Sequence, residues 1–222
     1  MANRCASLYR GLMARFTRLN GCGQPMYGPC NQITTNAFIT VSQSTETEDS
    51  DAITSTRADG SNCINVPGKT NFSYYELEIE LCEANPLLVQ IIDPSAVIMY
   101  DADGDVVGVS TGDNEGLSTD TGFGFELWLG AQSAAADVCS GGGSTQWSGG
   151  LLTYPRVVGA SEGDLTVEND AITLTFTGRT LAPHGWRKGP YNVWAGADGI
   201  PGPLPEPIPP RKHRLLIPVT TV

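Results

Sequence analysis

Hydrophobic and polar residues alternate from Tyr75 to Leu81 within the stretch Phe72 to Cys82, where the chain reads Phe-Ser-Tyr-Tyr-Glu-Leu-Glu-Ile-Glu-Leu-Cys. Successive side chains of a β-strand point to opposite faces, so the run sorts into two sides. Tyr75, Leu77, Ile79 and Leu81 make a side that can be buried. Tyr74, Glu76, Glu78, Glu80 and Cys82 make one that must meet water or a partner surface. Three glutamates on one face repel each other, and no Lys or Arg lies close in sequence to relieve them.

The same reading extends along the chain. Residues 8–18 predict a strand, with Asn20-Gly21 turning it into a hairpin that resumes at Met26-Tyr27. Residues 37–41 predict another, which continues through polar Ser42 to Thr45 into Glu46, Glu48, Asp49 and Asp51. A second polar run over 52–57 ends at Ala58-Asp59-Gly60, which predicts a long hydrophilic hairpin over about 37–58 with an acidic tip. An isolated two-stranded ribbon is marginal in water, so this element is either a loose loop or pairs edge-on with neighbouring chains. One short helix is expected over about 86–92, with Asn85 as N-cap, Pro86 in the first turn and Pro94 as the stop.

Further strands are expected over 96–100 and 106–110, over 122–130, over 151–159 with Pro155 at an edge or bulge, and over 215–219. Residues 164–178 predict a hairpin turning at Asn169-Asp170, with an oily face of Leu165, Val167, Ile172, Leu174 and Phe176. Six prolines between 201 and 210 predict an extended spacer. The fold class is therefore mainly β with one short flanking helix. It divides into a single β-rich domain over 1–198 and a proline-rich arm with a final strand over 199–222.

At 222 residues the chain can bury a substantial core, and no apolar run approaches the roughly 18 residues of a membrane span. Charge changes the picture more. There are 24 acidic and 13 basic residues, net −11, unevenly placed. Residues 1–45 hold no acid, residues 70–155 hold no Lys or Arg, and the end turns basic at Arg211, Lys212 and Arg214. Either the segregation is chance, or basic termini, with Arg4 and Arg10 at the other end, dock on the acidic body of another copy. The start lacks the charged, apolar and cleavage segments of a signal peptide, so the six scattered cysteines are expected to be mostly reduced, buried thiols.

Little catalytic chemistry is legible. Asp101, Asp103 and Asp105 alternate as in a calcium loop, but Val106 and Gly112 stand where that pattern needs Gly and Glu, which favours a tight turn. The glycine loop at 140–144 lacks the Lys-Ser/Thr of a phosphate-binding loop. His184 and His213 have no nucleophile elbow, the cysteines lack zinc spacing, and the acids define no catalytic pair. The expectation is no catalytic residue, no metal and no cofactor. Trp128, Trp147, Trp186 and Trp194 suit core packing better than sugar stacking. An acidic surface also argues against sequence-specific nucleic-acid binding.

Several segments carry a resemblance: the start Met-Ala-Asn-Arg-Cys, the turn Thr17-Arg18-Leu19-Asn20-Gly21-Cys22-Gly23-Gln24-Pro25, residues 164–178, and Gly189-Pro190-Tyr191-Asn192-Val193 leading to Gly202-Pro203-Leu204-Pro205-Glu206-Pro207. In their order the chain resembles the major tail (tail tube) proteins of long-tailed bacteriophages, particularly those infecting actinobacteria. The resemblance implies a β-sandwich or barrel subunit that assembles into stacked, hexameric rings in the phage tail, built in the host cytoplasm. It also implies tape-measure, tail-terminator and distal-tail partners, and double-stranded DNA passing through the bore. In that setting Glu46, Glu48, Asp49 and Asp51 are the first candidates for the lumen or ring rim, and Glu76, Glu78 and Glu80 the second. Arg4, Arg10, Arg211, Lys212 and Arg214 are candidates for docking between subunits. The alternatives are a terminator or connector of the same tail, a virion decoration protein, a carbohydrate-binding module, or a hydrolase with clustered carboxylates.

Overall fold

In a computed structural model of the chain, the described residues are 7–26, 28, 30–83, 85–110, 122–132, 149–167, 172–183, 186, 189, 194–195, 201–204 and 206–219. In chain order they form β1 (Ser7–Arg18), β2 (Gln32–Thr35), β3 (Phe38–Ser50), β4 (Ile53–Thr56), β5 (Asn62–Val66), β6 (Lys69–Leu81) and α1 (Pro86–Ile92). There follow β7 (Val97–Tyr100), β8 (Val106–Ser110), β9 (Phe123–Gln132), β10 (Gly149–Val167), β11 (Ile172–Thr180), β12 (Trp194–Ala195), β13 (Pro201–Gly202) and β14 (Leu215–Val219). The fold is mainly β with one short helix, as the alternation predicts.

An antiparallel sheet of eight strands runs in the order β2-β1-β9-β10-β11-β6-β3, with β14 beside the first part of β10. Strands β2 and β3 stand at opposite ends of that order, yet only Asn36 and Ala37 separate them in the chain. Three Cα–Cα steps reach at most about 11 Å. The sheet therefore curls until its two ends approach, as a barrel does. Accordingly, the Phe38 ring of β3 lies 2.7 Å from where a Cβ on Gly11 of β1 would sit.

The inside of the curl is the main core. Phe16, Phe123, Phe125, Tyr154, Phe176, Leu77, Ile79 and Leu81 converge there with Leu88, Ile91 and Ile92 of α1. Burying each aliphatic side chain of this kind contributes about 1.5–3 kcal/mol. The helix is capped as its sequence predicts: the Leu87 N–H donates to Asn85 Oδ1 at 3.0 Å, and Pro86 occupies the first turn. A second, smaller core lies on the outer face of β1, β9 and β10. There Leu19, Trp128 and Leu151 are covered by Trp186, Leu204 and Ile208. The proline-rich segment is thus held against the body by its two aliphatic residues. Both described tryptophan side chains, Trp128 and Trp186, pack in this layer.

Several expectations hold in detail. The β7–β8 hairpin, the pairing of β10 with β11 and the final strand β14 all form, whereas β1 is answered by Gln32–Thr35 and not by Met26-Tyr27, an isolated Leu19–Pro25 bridge alone following the Asn20-Gly21 turn. In the β7–β8 turn, the Asp103 and Asp105 N–H groups donate to Asp101 Oδ1 at 3.0 and 2.8 Å, as in a tight turn. Pro155 falls where the β9–β10 register shifts between Tyr154 and Val157, so it marks a bulge in an interior strand. The Asn169-Asp170 turn, the 140–144 loop and His184 lie outside the described residues.

Two further expectations are corrected. The long hairpin does not close over 37–58: residues 38–50 pair with 69–81, while β4 pairs with β5 as a separate small hairpin at the far end. The longer pairing sets Asp49 opposite Thr70 and Ser50 opposite Lys69, which relieves the acids better than another polar run would. Gly68 makes the junction possible, because a Cβ there would lie 2.4 Å from the Ser50 carbonyl oxygen. The thiols are the second correction, since Cys22, Cys30, Cys63 and Cys82 are free but exposed.

Gly124 shows how tightly the outer layer is seated, because a Cβ there would meet the Trp186 ring at 2.2 Å. We expect Gly124→Ala to push Trp186 off β9 and cost about 1–3 kcal/mol. Urea unfolding followed by tryptophan fluorescence measures this, and an unchanged midpoint would show that Trp186 does not press on the sheet.

Candidate assembly surface

The longest strand pair changes character along its length. Between Glu76 and Leu81, β6 lies between β11 and β3. From Tyr75 outward to Lys69 its only partner among the described residues is β3, which itself pairs with β6 alone. The outer part is thus a two-stranded ribbon with both backbone edges open. Hairpin β4–β5 prolongs it, and every residue from 51 to 70 is exposed.

Register decides what the ribbon presents. Directly paired residues share a face and neighbours alternate. Glu80 therefore stands with Thr40 and Thr175, Glu78 with Ser42 and Thr177, and Glu76 with Ser44 and Arg179. The row continues as Tyr74 beside Glu46, and past a bulge at Ser73 as Asn71 beside Glu48. Five glutamates from two candidate groups thus come together on one face, opposite the side that enters the core. Two hydroxyls serve them: Ser42 Oγ donates to Glu78 at 3.5 Å and Ser44 Oγ to Glu46 at 3.4 Å. Asp49 does not join this row. It lies on the Phe72 face, where the Thr70 hydroxyl donates to it. Asp51 lies beyond the end of β3.

The root of the ribbon is clasped by the chain's last segment. Phe72 packs on Tyr75 at 4.8 Å and meets the His213 ring edge-on at 5.0 Å. The Arg214 guanidinium lies 5.1 Å from the Tyr75 ring centre and donates to Gln43 Oε1 at 3.0 Å. The Tyr154 hydroxyl donates to the same oxygen at 2.6 Å, and burial pushes that phenol up to about 12. Thr180 Oγ1 accepts from the Tyr75 N–H and lies 3.1 Å from His213 Nδ1. Burial holds His213 below its ordinary value, so the ring is neutral at pH 7.

Of the docking candidates, Arg10, Arg211, Lys212 and Arg214 are all exposed, Arg214 while donating to Gln43, and Arg4 lies outside the described residues.

Sequence reading missed one ionisable group, Glu126. It alternates with Phe125 and Leu127 on β9, where both faces are buried, and no local pattern marks it as charged and interior. It is fully buried, and Arg15 Nε donates to its Oε2 at 2.8 Å. Arg15 in turn lies 4.9 Å from the Trp128 ring centre. This pair belongs to the body, away from the glutamate face. Elsewhere, an open cleft of about 460 Å³ between β1, β2 and α1 is lined by Met13, Ile33, Glu83 and Leu88 among others. Its lining offers one carboxylate and no nucleophile–base pair. Among the described residues, no group of three His, Cys, Asp or Glu is placed to hold a metal, and no helix is long and apolar enough to cross a membrane.

The chain matches no protein-family model, and no curated protein is significantly similar to it in sequence.

The buried carboxyl sets a pH dependence. Burial pushes Glu126 up to about 7, against the downward pull of Arg15. The folded state then holds a proton that the unfolded chain releases, so stability falls as pH rises from about 4.5 to about 7 and levels off above. Glu126→Gln should remove that slope, so that wild-type stability minus variant stability declines across this window in urea titrations. A difference that rises with pH would mean that the Arg15 ion pair outweighs burial.

Proposed function

We propose that the chain is a structural subunit that closes into rings and stacks into a phage-type tail tube, a conduit for double-stranded DNA. The observation that carries this reading is the outer ribbon. It has two open backbone edges, one acidic face and, among the described residues, no third strand beside it. Unpaired edges invite pairing with another chain, and a ring of copies removes every edge. Rotation about a ring axis keeps strand directions fixed. The open edge of β6 in one copy therefore meets the open edge of β3 in the next as an antiparallel pair, and the alternation continues around the ring.

The face direction follows from the core. Leu77, Ile79 and Leu81 point into their own subunit, so in a closed ring Glu46, Glu48, Glu76, Glu78 and Glu80 point toward the axis. Such a wall repels phosphate, so DNA slides without being gripped. Asp49 and Asp51 are assigned to the outer side and the rim. Tape-measure, terminator and distal-tail proteins are the partners this role requires, and the virion is its place. A terminator or connector, which forms a single ring, is the nearest rival reading. Electron microscopy of the purified chain separates the classes: stacked tubes support a tube protein, single rings a terminator, and glycan-binding monomers a carbohydrate module.

Replacing Glu46, Glu48, Glu76 and Glu78 together by Lys should leave tubes visible but slow or stall DNA ejection from assembled particles. Normal tubes with unchanged ejection kinetics would remove the lumen assignment.

A further inference from the structure

Two small hairpins present apolar faces to solvent, and each has only two strands. On β4–β5 the register places Ile53 opposite Val66 and Ser55 opposite Ile64. Ile53, Ile64 and Val66 therefore share one face, 63%, 48% and 48% exposed. On β7–β8, Ile98 points inward and is buried. Val97 and Met99 lie on the opposite face, 63% and 48% exposed, across from Ser110 and Gly108. Patches of this kind on a polar framework mark contact sites.

The two faces match each other. Each is built on strands of four or five residues, which span about 13–17 Å. Their charges are complementary as well. Arg57 lies at the turn of β4–β5 and Lys69 just beyond its base, whereas the β7–β8 turn carries Asp101, Asp103 and Asp105. Asp101 is occupied by the turn's own N–H groups, which leaves Asp103 and Asp105 to meet a cation. The β4–β5 turn also carries Asp59, which accepts from the Ser61 hydroxyl at 2.7 Å and stays ionised, so the attraction rests on Arg57 and Lys69. Two unlike patches on one chain join head to tail and propagate as a stack.

We infer that the β4–β5 hairpin of one copy seats on the outer face of β7–β8 in a second copy, joining one ring to the next. The inference rests on the ring-forming reading and supplies its axial contact. The test uses the full chain. Ile64→Asp and Met99→Asp, each on an exposed outer face, should abolish tubes in electron microscopy and leave rings. Arg57→Glu and Asp103→Lys should each shorten tubes at low salt, and the double variant should restore them. Independently of those variants, a mixture of Ile64→Cys chains with Met99→Cys chains should yield, on mild oxidation, a disulfide joining the two engineered positions. Because each position is carried by a different chain, that bond is intermolecular, and a Cys63→Ser background removes the adjacent native thiol so that peptide mapping identifies it. Wild-type tubes with unaffected variants, or with no such cross-link, would overturn this contact alone. A wild-type chain that forms neither rings nor tubes would overturn the ring-forming reading and this contact with it.

Discussion

Backbone hydrogen bonding constrains this molecule more than any side chain does. From Tyr74 to Lys69 and along the facing part of β3, each strand offers one edge of N–H and C=O groups to which no other strand pairs among the described residues. A buried, unpaired backbone group costs about 1–3 kcal/mol, so the ribbon must either stay wet or acquire another strand. Its composition favours the wet state along its length, with hydroxyls and carboxylates on one face. Held only at its root by Phe72, Tyr75, His213 and Arg214, it projects from a body that has already spent its own strands.

One strand serves both halves of the design. The inner part of β6 places Leu77, Ile79 and Leu81 in the barrel core, and the same pleat sends Glu76, Glu78 and Glu80 away from it. Core burial therefore fixes the register, because slipping by one residue would drive glutamates into the core and leucines into water. The acidic face is then as fixed in direction as the core is. The outer part of β6 inherits that direction without having a core beneath it.

The alternating runs were legible because period two and burial coincide. The stretch 72–82 in β6 and the threonine-spaced 172–178 in β11 are the plainest cases. The helix was legible from Asn85, Pro86 and Pro94, whose effects act within one turn. The hairpin over 37–58 was misassigned because its strands are polar on both faces, which leaves turn residues as the only local guide. Ala58-Asp59-Gly60 is a true turn, but it closes β4–β5, and nothing local says that residue 50 pairs with residue 69. The joining of Glu46 and Glu48 to Glu76, Glu78 and Glu80 depended on that same pairing, so the site was visible as two lists and not as one face. Glu126 was illegible for the opposite reason: its partner Arg15 is 111 residues away in the chain.

A face of five glutamates per copy raises the question of whether ring closure can tolerate its own charge. In the proposed ring, neighbouring ribbons would repeat every two strands, about 10 Å, and unit charges at that spacing in water repel by about 0.4 kcal/mol before screening. Physiological salt, with a screening length of about 8 Å, reduces this further. Each backbone hydrogen bond gained at a closed edge contributes about 0.5–1.5 kcal/mol net, so a few bonds per junction outweigh the repulsion of the row. The same screening length sets the reach of the wall. In the proposed tube, phosphate would be repelled within about 8 Å of the carboxylates and indifferent to them farther out, so the acidic wall acts only at short range.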